Sequence, residues 1–307
     1  MSGSRDPSAN VNRDTSPITL VVGVGYTGHP LAKRLADTDR DVIGTTRDAS
    51  QFDEPGYELR EFDLKNSSDF MESLPERSFE VVFTAGPPRF DSMSDSIELY
   101  RRFLEALDKI DLVQYLFLSS TSVYGDANGE WVTETSPLSP SSRSGELKAK
   151  AEQLSDDVLP DEVPVVHARI GGIYGPGRGG PLRYLSKQYK LVGEGEKITN
   201  RIYRDDLVRI LSLLTRVRES SVYNVADRKP VTLKKLVGFL YRETGRDPED
   251  IEYISWDEAE REFSEMRLGL LKPQKKVSSR KLREKLPFEY EYPDAFQGMK
   301  ELLDQNA

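Results

Sequence analysis

The chain has 307 residues, 43 Lys and Arg against 52 Asp and Glu for a net charge of −9, no cysteine and two histidines. Lack of cysteine excludes disulfides, thiolate metal sites, iron–sulfur clusters and a Cys nucleophile, and two histidines exclude a His-rich metal centre. The acidic balance argues against nucleic acid as a partner, and no apolar run reaches the roughly 18 residues that a membrane-spanning helix needs.

Residues 1–17, MSGSRDPSANVNRDTSP, lack the apolar core of a secretory signal and read as a polar, disordered tail, so the expected compartment is cytoplasmic. Hydrophobic patterning then predicts strands at Ile18–Gly23, Asp41–Thr45, Tyr57–Phe62, Glu80–Thr84, Val113–Ser119, Val163–Ile170 and Ser221–Val225. Helices are predicted between them at Leu31–Ala36, Met93–Leu107 and Ser144–Leu154. In the second, Met93, Ile97, Tyr100, Leu104 and Leu107 recur at spacings of four and three. Strands alternating with helices imply right-handed βαβ units and a doubly wound parallel sheet of about seven strands in an α/β fold.

The pattern breaks after Ile170, where GGIYGPGRGGP spans 171–181, and the chain past Pro230 turns helical and charged. Residues 18–171 and 203–228 are expected to form the nucleotide-binding domain. Residues 172–202 and 229–307 are expected to form a smaller, interleaved substrate lobe. The stretch EYISWDEAEREFSEM (252–266) reads as a solvated acidic helix. A cleft is expected at the carboxyl ends of the strands, where open α/β sheets bind ligands.

The first strand runs directly into Gly23-x-Gly25-x-x-Gly28, which opens a helix. In this context Gly23 permits a tight turn, Gly25 lets a pyrophosphate approach the backbone beside Tyr26 and Thr27, and Gly28 lets the helix pack against the strand. The helix N-terminus supplies free N–H groups and a positive dipole end. This is the fingerprint of a Rossmann-type dinucleotide site. An acid after the second strand would bind a ribose 2′-hydroxyl, but Thr46 and Arg47 stand there, and a hydroxyl beside a guanidinium suits a 2′-phosphate. NADP(H) is therefore preferred over NAD(H). Asp63 and Leu64 after the third strand, and Thr84, Ala85 and Gly86 after the fourth, are placed to contact adenine and ribose.

GVGYTG (23–28), FTAG (83–86), FLSSTSVYG (117–125), RIGGIYGPGR (169–178) and NRIYRDDL (200–207) together resemble the extended short-chain dehydrogenase/reductases, the NAD-dependent epimerase/dehydratase family. The resemblance covers about residues 18–300 in the right order. It implies that Ser120 hydrogen-bonds the substrate beside the nicotinamide. The family's acid/base couple is Tyr-x-x-x-Lys, one helical turn apart on one face, with the Lys holding the nicotinamide ribose and lowering the Tyr pKa. Here Lys148 fits and Ser144 stands at the Tyr position, so this is an atypical, Tyr-lacking branch. A serine hydroxyl ionises far less readily than a phenol. Tyr124, Tyr174, Tyr203 or an ordered water are the alternative proton sources.

Thr121 and Ser122 stand where the family's 4,6-dehydratases carry an acid pair, which argues against dehydration. On the substrate side, Arg143, Arg178, Arg201 and Tyr203 are expected contacts, Arg201 otherwise pairing with Asp205 or Asp206. His29 is expected to cap or lie on the surface, and His167 to sit in the core; no metal site is predicted. The resulting expectation is an NADP(H)-dependent oxidoreductase or epimerase acting on a polar carbonyl or hydroxyl compound, with sugars and nucleotide sugars among the candidates. The alternative is a catalytically inactive NADP(H)-binding sensor or scaffold. A monomer or a homodimer through helices 93–107 and 144–155 is expected.

Overall fold

The computed structural model describes residues 16–305, so most of the expected N-terminal tail lies outside the described residues. All seven predicted strands form and join one sheet: β1 (Ile18–Val22), β2 (Val42–Thr46), β3 (Glu58–Glu61), β4 (Ser78–Phe83), β5 (Asp111–Ser120), β6 (Val165–Ile170) and β7 (Ser221–Val225). Their order across the sheet is β3-β2-β1-β4-β5-β6-β7, and every ladder is parallel. The chain winds outward from β1 to β3, then returns to the other side of β1 as β4. That reversal leaves a crevice above the carboxyl ends of β1 and β4.

The strands read as unbroken apolar runs because helices cover both faces. On one face α1 (Gly28–Ala36) and α5 (Arg204–Leu214) pack on Val21, Val82, Leu116 and Val166. On the other, α2 (Ser67–Glu72), α3 (Met93–Ala106) and α4 (Arg143–Val158) pack on Leu20, Val81, Phe83 and Phe117. On each of α3 and α4 one exposed pair bridges a helical turn, Glu98 with Arg102 and Glu146 with Lys150.

A third apolar cluster lies away from the sheet. Tyr174, Tyr184, Leu191, Tyr203, Leu236 and Met299 gather between α6 (Leu233–Glu243) and α7 (Ala295–Asp304). A Cβ on Gly298 would come within 2.1 Å of the Tyr174 hydroxyl, so glycine there lets α7 close on the ring. The stretch 252–266 is not one helix. Tyr253–Ile254 pairs in parallel with Leu191–Val192; a Ser255–Glu258 capping box then starts a helix at Trp256 that ends at Glu262. Tertiary pairing and a serine cap divide a segment whose composition alone reads as continuous helix. Among the described residues, no helix is long and apolar enough to cross a membrane, and no cluster of three His, Asp or Glu side chains is arranged to hold a metal.

Candidate functional site

The crevice is a cleft of about 970 Å³ over β1, β2, β4 and β5. Its floor is the glycine turn. Gly23 has φ +99°, and a Cβ there would strike Ala85 at 2.7 Å. A Cβ on Gly25 would meet no protein atom within 4 Å, so this backbone is open to the cleft. The turn is anchored from below: Gly23 and Val24 donate to the Thr45 carbonyl, and the Thr84 hydroxyl donates to the carbonyls of Val22 and Gly23. Helix α1 starts at Gly28 with no side-chain cap. Among the described residues, the amides of Tyr26, Thr27 and Gly28 donate to no acceptor. Free amides above open backbone form an anion cradle.

A Cβ on Gly28 would stand 2.3 Å from the Gly23 carbonyl oxygen and 2.7 Å from Thr84 Oγ1. Neither can retreat without moving the turn. Gly28→Ala is expected to lose about 1–3 kcal/mol of stability in urea denaturation; a loss under about 0.5 kcal/mol would show that the turn yields freely.

Charge in the cleft runs against that of the chain. Arg47, Lys65, Arg89, Lys148 and Arg178 line it, against one carboxylate, Asp63. Thr46 and Arg47 stand at the end of β2 and Asp63 and Leu64 just beyond β3, all on the cleft wall. Arg47 is exposed and forms no ion pair or hydrogen bond with the described residues. Tyr26 lies at the glycine end, the guanidinium groups of Arg178 and Arg204 at 5.2 and 5.3 Å from its ring centroid. An otherwise acidic molecule thus presents a cationic cleft, which attracts anions.

At the other end are Ser120, Ser144 and Lys148. Ser120 closes β5 and accepts hydrogen bonds from the Ser122 amide at 3.1 Å and hydroxyl at 3.0 Å; its own proton donates to no described atom. Ser142 caps α4, whose first two turns bring Ser144 and Lys148 to the cleft. Lys148 Nζ donates to the Leu118 carbonyl at 2.5 Å and lies 4.7 Å from the Phe117 ring centroid. Burial, then the like charge of Arg89, pushes its pKa down from 10.5 to about 7, with Glu152 opposing.

Several expected participants are elsewhere. Tyr124 is buried, donating to Asn224 Oδ1 at 2.6 Å and accepting from Arg169. Tyr174 is pressed against Gly298, and Tyr203 stacks on Tyr292 at 3.9 Å. None of the three lines the cleft, because their rings are packed as core, Tyr174 and Tyr203 in the cluster around Leu236 and Met299 and Tyr124 beside Val123, Val132 and Val277. Arg201 is likewise absent from the wall: it bonds the Tyr184 hydroxyl at 2.6 Å and Thr199, while Asp205 and Asp206 pair with Arg204 and Arg209. Arg143 does not line the cleft either; it holds the carbonyls of Phe90 and Asp91 at the rim. Arg178 does line it.

His29 Nδ1 lies 2.7 Å from the Tyr57 hydroxyl and packs against Phe52, and burial followed by Lys33 lowers its pKa. His167 is in the core with Nε2 on Asp156 and Nδ1 without a partner. Sequence reasoning missed Lys65 and Arg89; the only local signal was their position just past strand ends, in DLK and PPR.

The profile of the NAD dependent epimerase/dehydratase family matches residues 19–226. Protein YeeZ of Escherichia coli K12 is 31% identical over 217 residues, 67% of this chain and 76% of that protein. Among solved structures, DesIV, a dTDP-glucose 4,6-dehydratase from Streptomyces venezuelae with NAD and TYD bound, superposes with a TM-score of 0.75 at 18% identity, covering 94% of this chain and 96% of the other. A UDP-glucuronic acid 4-epimerase from Bacillus cereus in complex with NAD gives a TM-score of 0.71 at 17% identity over the same shares. Both structures share the fold.

Proposed function

Because the chain belongs to the NAD dependent epimerase/dehydratase family, we propose that it is an NADP(H)-dependent oxidoreductase or epimerase acting on a nucleotide sugar. The observation that carries this reading is the cleft itself: open Gly25, three free amides at α1, and five cations against one carboxylate. These residues fit a dinucleotide. The Gly23–Gly28 turn would hold its pyrophosphate and Thr46 with Arg47 its 2′-phosphate. Asp63, Leu64, Thr84, Ala85 and Gly86 would border adenine and ribose. When bound, the nicotinamide supplies a hydride acceptor or donor.

Ser120, with its proton unspent, would donate to a substrate oxygen, and Arg178 would hold a substrate anion. Solved relatives with this fold carry dTDP-glucose and UDP-glucuronic acid activities, which favours a nucleotide sugar. Thr121 is buried and Ser122 bonds Ser120, and the cleft's one carboxylate, Asp63, lies beyond β3. Removal of a carbon-bound proton by a carboxylate, as dehydration requires, has no group there. Redox or epimerisation chemistry is therefore favoured over dehydration.

Calorimetric titration with NADP+ and NAD+ tests the assignment. NADP+ is expected to bind more tightly. Arg47→Ala is expected to weaken NADP+ by about 1–3 kcal/mol, roughly five- to 150-fold, while NAD+ changes little. Equal losses for both would misplace the 2′-phosphate site, and no saturable binding of either would end the reading.

A further inference from the structure

We propose that Lys148 is the proton-transfer group of this cleft, its amine doing what a phenol does in relatives with a Tyr-x-x-x-Lys couple; the inference rests on the dinucleotide reading above.

Ser144 and Lys148 lie one helical turn apart and both reach the cleft. Serine at 144 lacks the ring that a tyrosine would add to the cleft wall that Ser120 and Lys148 share, which leaves more room there for a substrate oxygen. The amine is also fixed in place. It donates to the Leu118 carbonyl, lies over Phe117, and stands 3.1 Å from where a Cβ on Gly86 would be. A side chain at 86 would crowd the amine by a few tenths of an ångström, and the φ of +73° at Gly86 itself favours glycine.

Elimination points the same way. Among the described residues lining the cleft, Tyr26 is the one tyrosine, and it lies at the phosphate end beside two guanidinium groups. Neither histidine lines the cleft, and Asp63 is beyond β3. The remaining cations there are Lys65, at the Asp63 end, and arginines, which do not release protons at neutral pH.

The groups facing the amine set its proton affinity. Arg89 bears on it from the loop after β4, and Glu152 from its own helix. The Glu152 carboxylate is already engaged by Arg169 of β6 and by Ser119 of β5. From β5 the amine meets only neutral partners, the Leu118 carbonyl and the Phe117 ring. Arg89 is therefore weakly countered, and with burial it holds the amine near half-protonation at neutral pH, where an acid/base group works in both directions. In oxidation of a substrate carbinol, the C–H bond breaks with its electron pair leaving as hydride to the dinucleotide, and the O–H proton passes to the neutral amine. The products are a carbonyl and an ammonium; reduction reverses both transfers.

The test counts protons. The oxidised nicotinamide ring carries a positive charge that the reduced ring lacks, so it disfavours the ammonium. NADP+ and NADPH are titrated calorimetrically into the full chain at pH 7 in two buffers of different ionisation enthalpy. The NADP+ complex is expected to hold fewer protons than the NADPH complex, by a sizeable fraction of one proton. Lys148→Arg keeps a cation and its donors, and should bind both nucleotides within about tenfold while abolishing the difference.

Equal proton counts in the unaltered protein with both nucleotides bound, or a difference that persists in Lys148→Arg, overturn the proposal. Absence of binding by either nucleotide instead removes the dinucleotide reading and this proposal with it. A measurement without any variant supports the same decision. Brief acetic anhydride labelling of the ligand-free chain, read by mass spectrometry, should show Lys148 half-reactive near pH 7 while exposed lysines follow their ordinary value near about 10.4. Reactivity of Lys148 at that ordinary value overturns it.

Discussion

Glu152→Ala is expected to destabilise the protein by about 3–5 kcal/mol. The Arg169 guanidinium donates from Nε to both Glu152 oxygens at 3.1 Å and from Nη2 to Oε2 at 2.7 Å, and Ser119 donates to Oε1. The side chains are 7% and 4% exposed, so neither charge has water to fall back on. Arg169 spends Nη1 on the Tyr124 hydroxyl and the Glu134 carbonyl, and Tyr124 in turn donates to Asn224. Removing the carboxylate leaves a buried guanidinium with those two neutral acceptors alone, which is the costly way to break such a pair.

Out of a total of roughly 5–15 kcal/mol, the loss is large. It should appear as a fall of roughly 5–15 °C in the thermal midpoint. Glu152→Leu with Arg169→Met removes both charges together and should cost less than the single change. A single-variant loss under about 1 kcal/mol would mean that the pair is not shielded as described.

This pair also marks the limit of what the sequence discloses. Glu152 stands four residues after Lys148, yet nothing local shows that its partner is Arg169 on β6. What could be read locally was read. Strands buried on two faces announce themselves as apolar runs, and Ser221–Val225 forms with the bounds expected from sequence. Gly23, Gly25 and Gly28 sit within one turn whose constraint is entirely local. Helix α1 starts three residues before the expected Leu31, because its first turn carries the glycine fingerprint and lacks an apolar stripe.

The part of the chain outside the seven-stranded sheet hid more. Its strands are two or three residues long and exist through partners far away, as where Lys276–Val277 pairs with Trp131–Val132. Arg201, Tyr174 and Tyr203 stand in motifs that border the cleft in sequence, but packing against Tyr184, Gly298 and Tyr292 decides where they point. Motif order located the cleft; burial alone sorted which side chains face it.

Lys148→Met is expected to stabilise the nucleotide-free protein near neutral pH and to lose that advantage as pH rises. In the folded state the amine titrates near about 7, against an ordinary 10.5. Between those values the unfolded chain binds a proton that the folded chain does not, so stability of the unaltered protein climbs with pH across that window. Below pH 7 both states are protonated and the full cost of the enclosed ammonium is present. Above about pH 10.4 both are neutral, and the amine keeps its bond to the Leu118 carbonyl, which methionine cannot make. The stability difference between variant and unaltered protein should therefore shift by on the order of 5 kcal/mol across the whole window, at about 1.4 kcal/mol per pH unit. Other titrating groups, Lys197 among them, act equally in both proteins and cancel in the difference. Urea denaturation of both at pH 6, 7, 8 and 9 measures it. A difference that stays constant with pH would mean an ordinary, solvated lysine, and the cleft would then have no group able to trade a proton at neutral pH. A slope of the expected sign would mean that the fold sacrifices stability to hold an amine where only chemistry needs one.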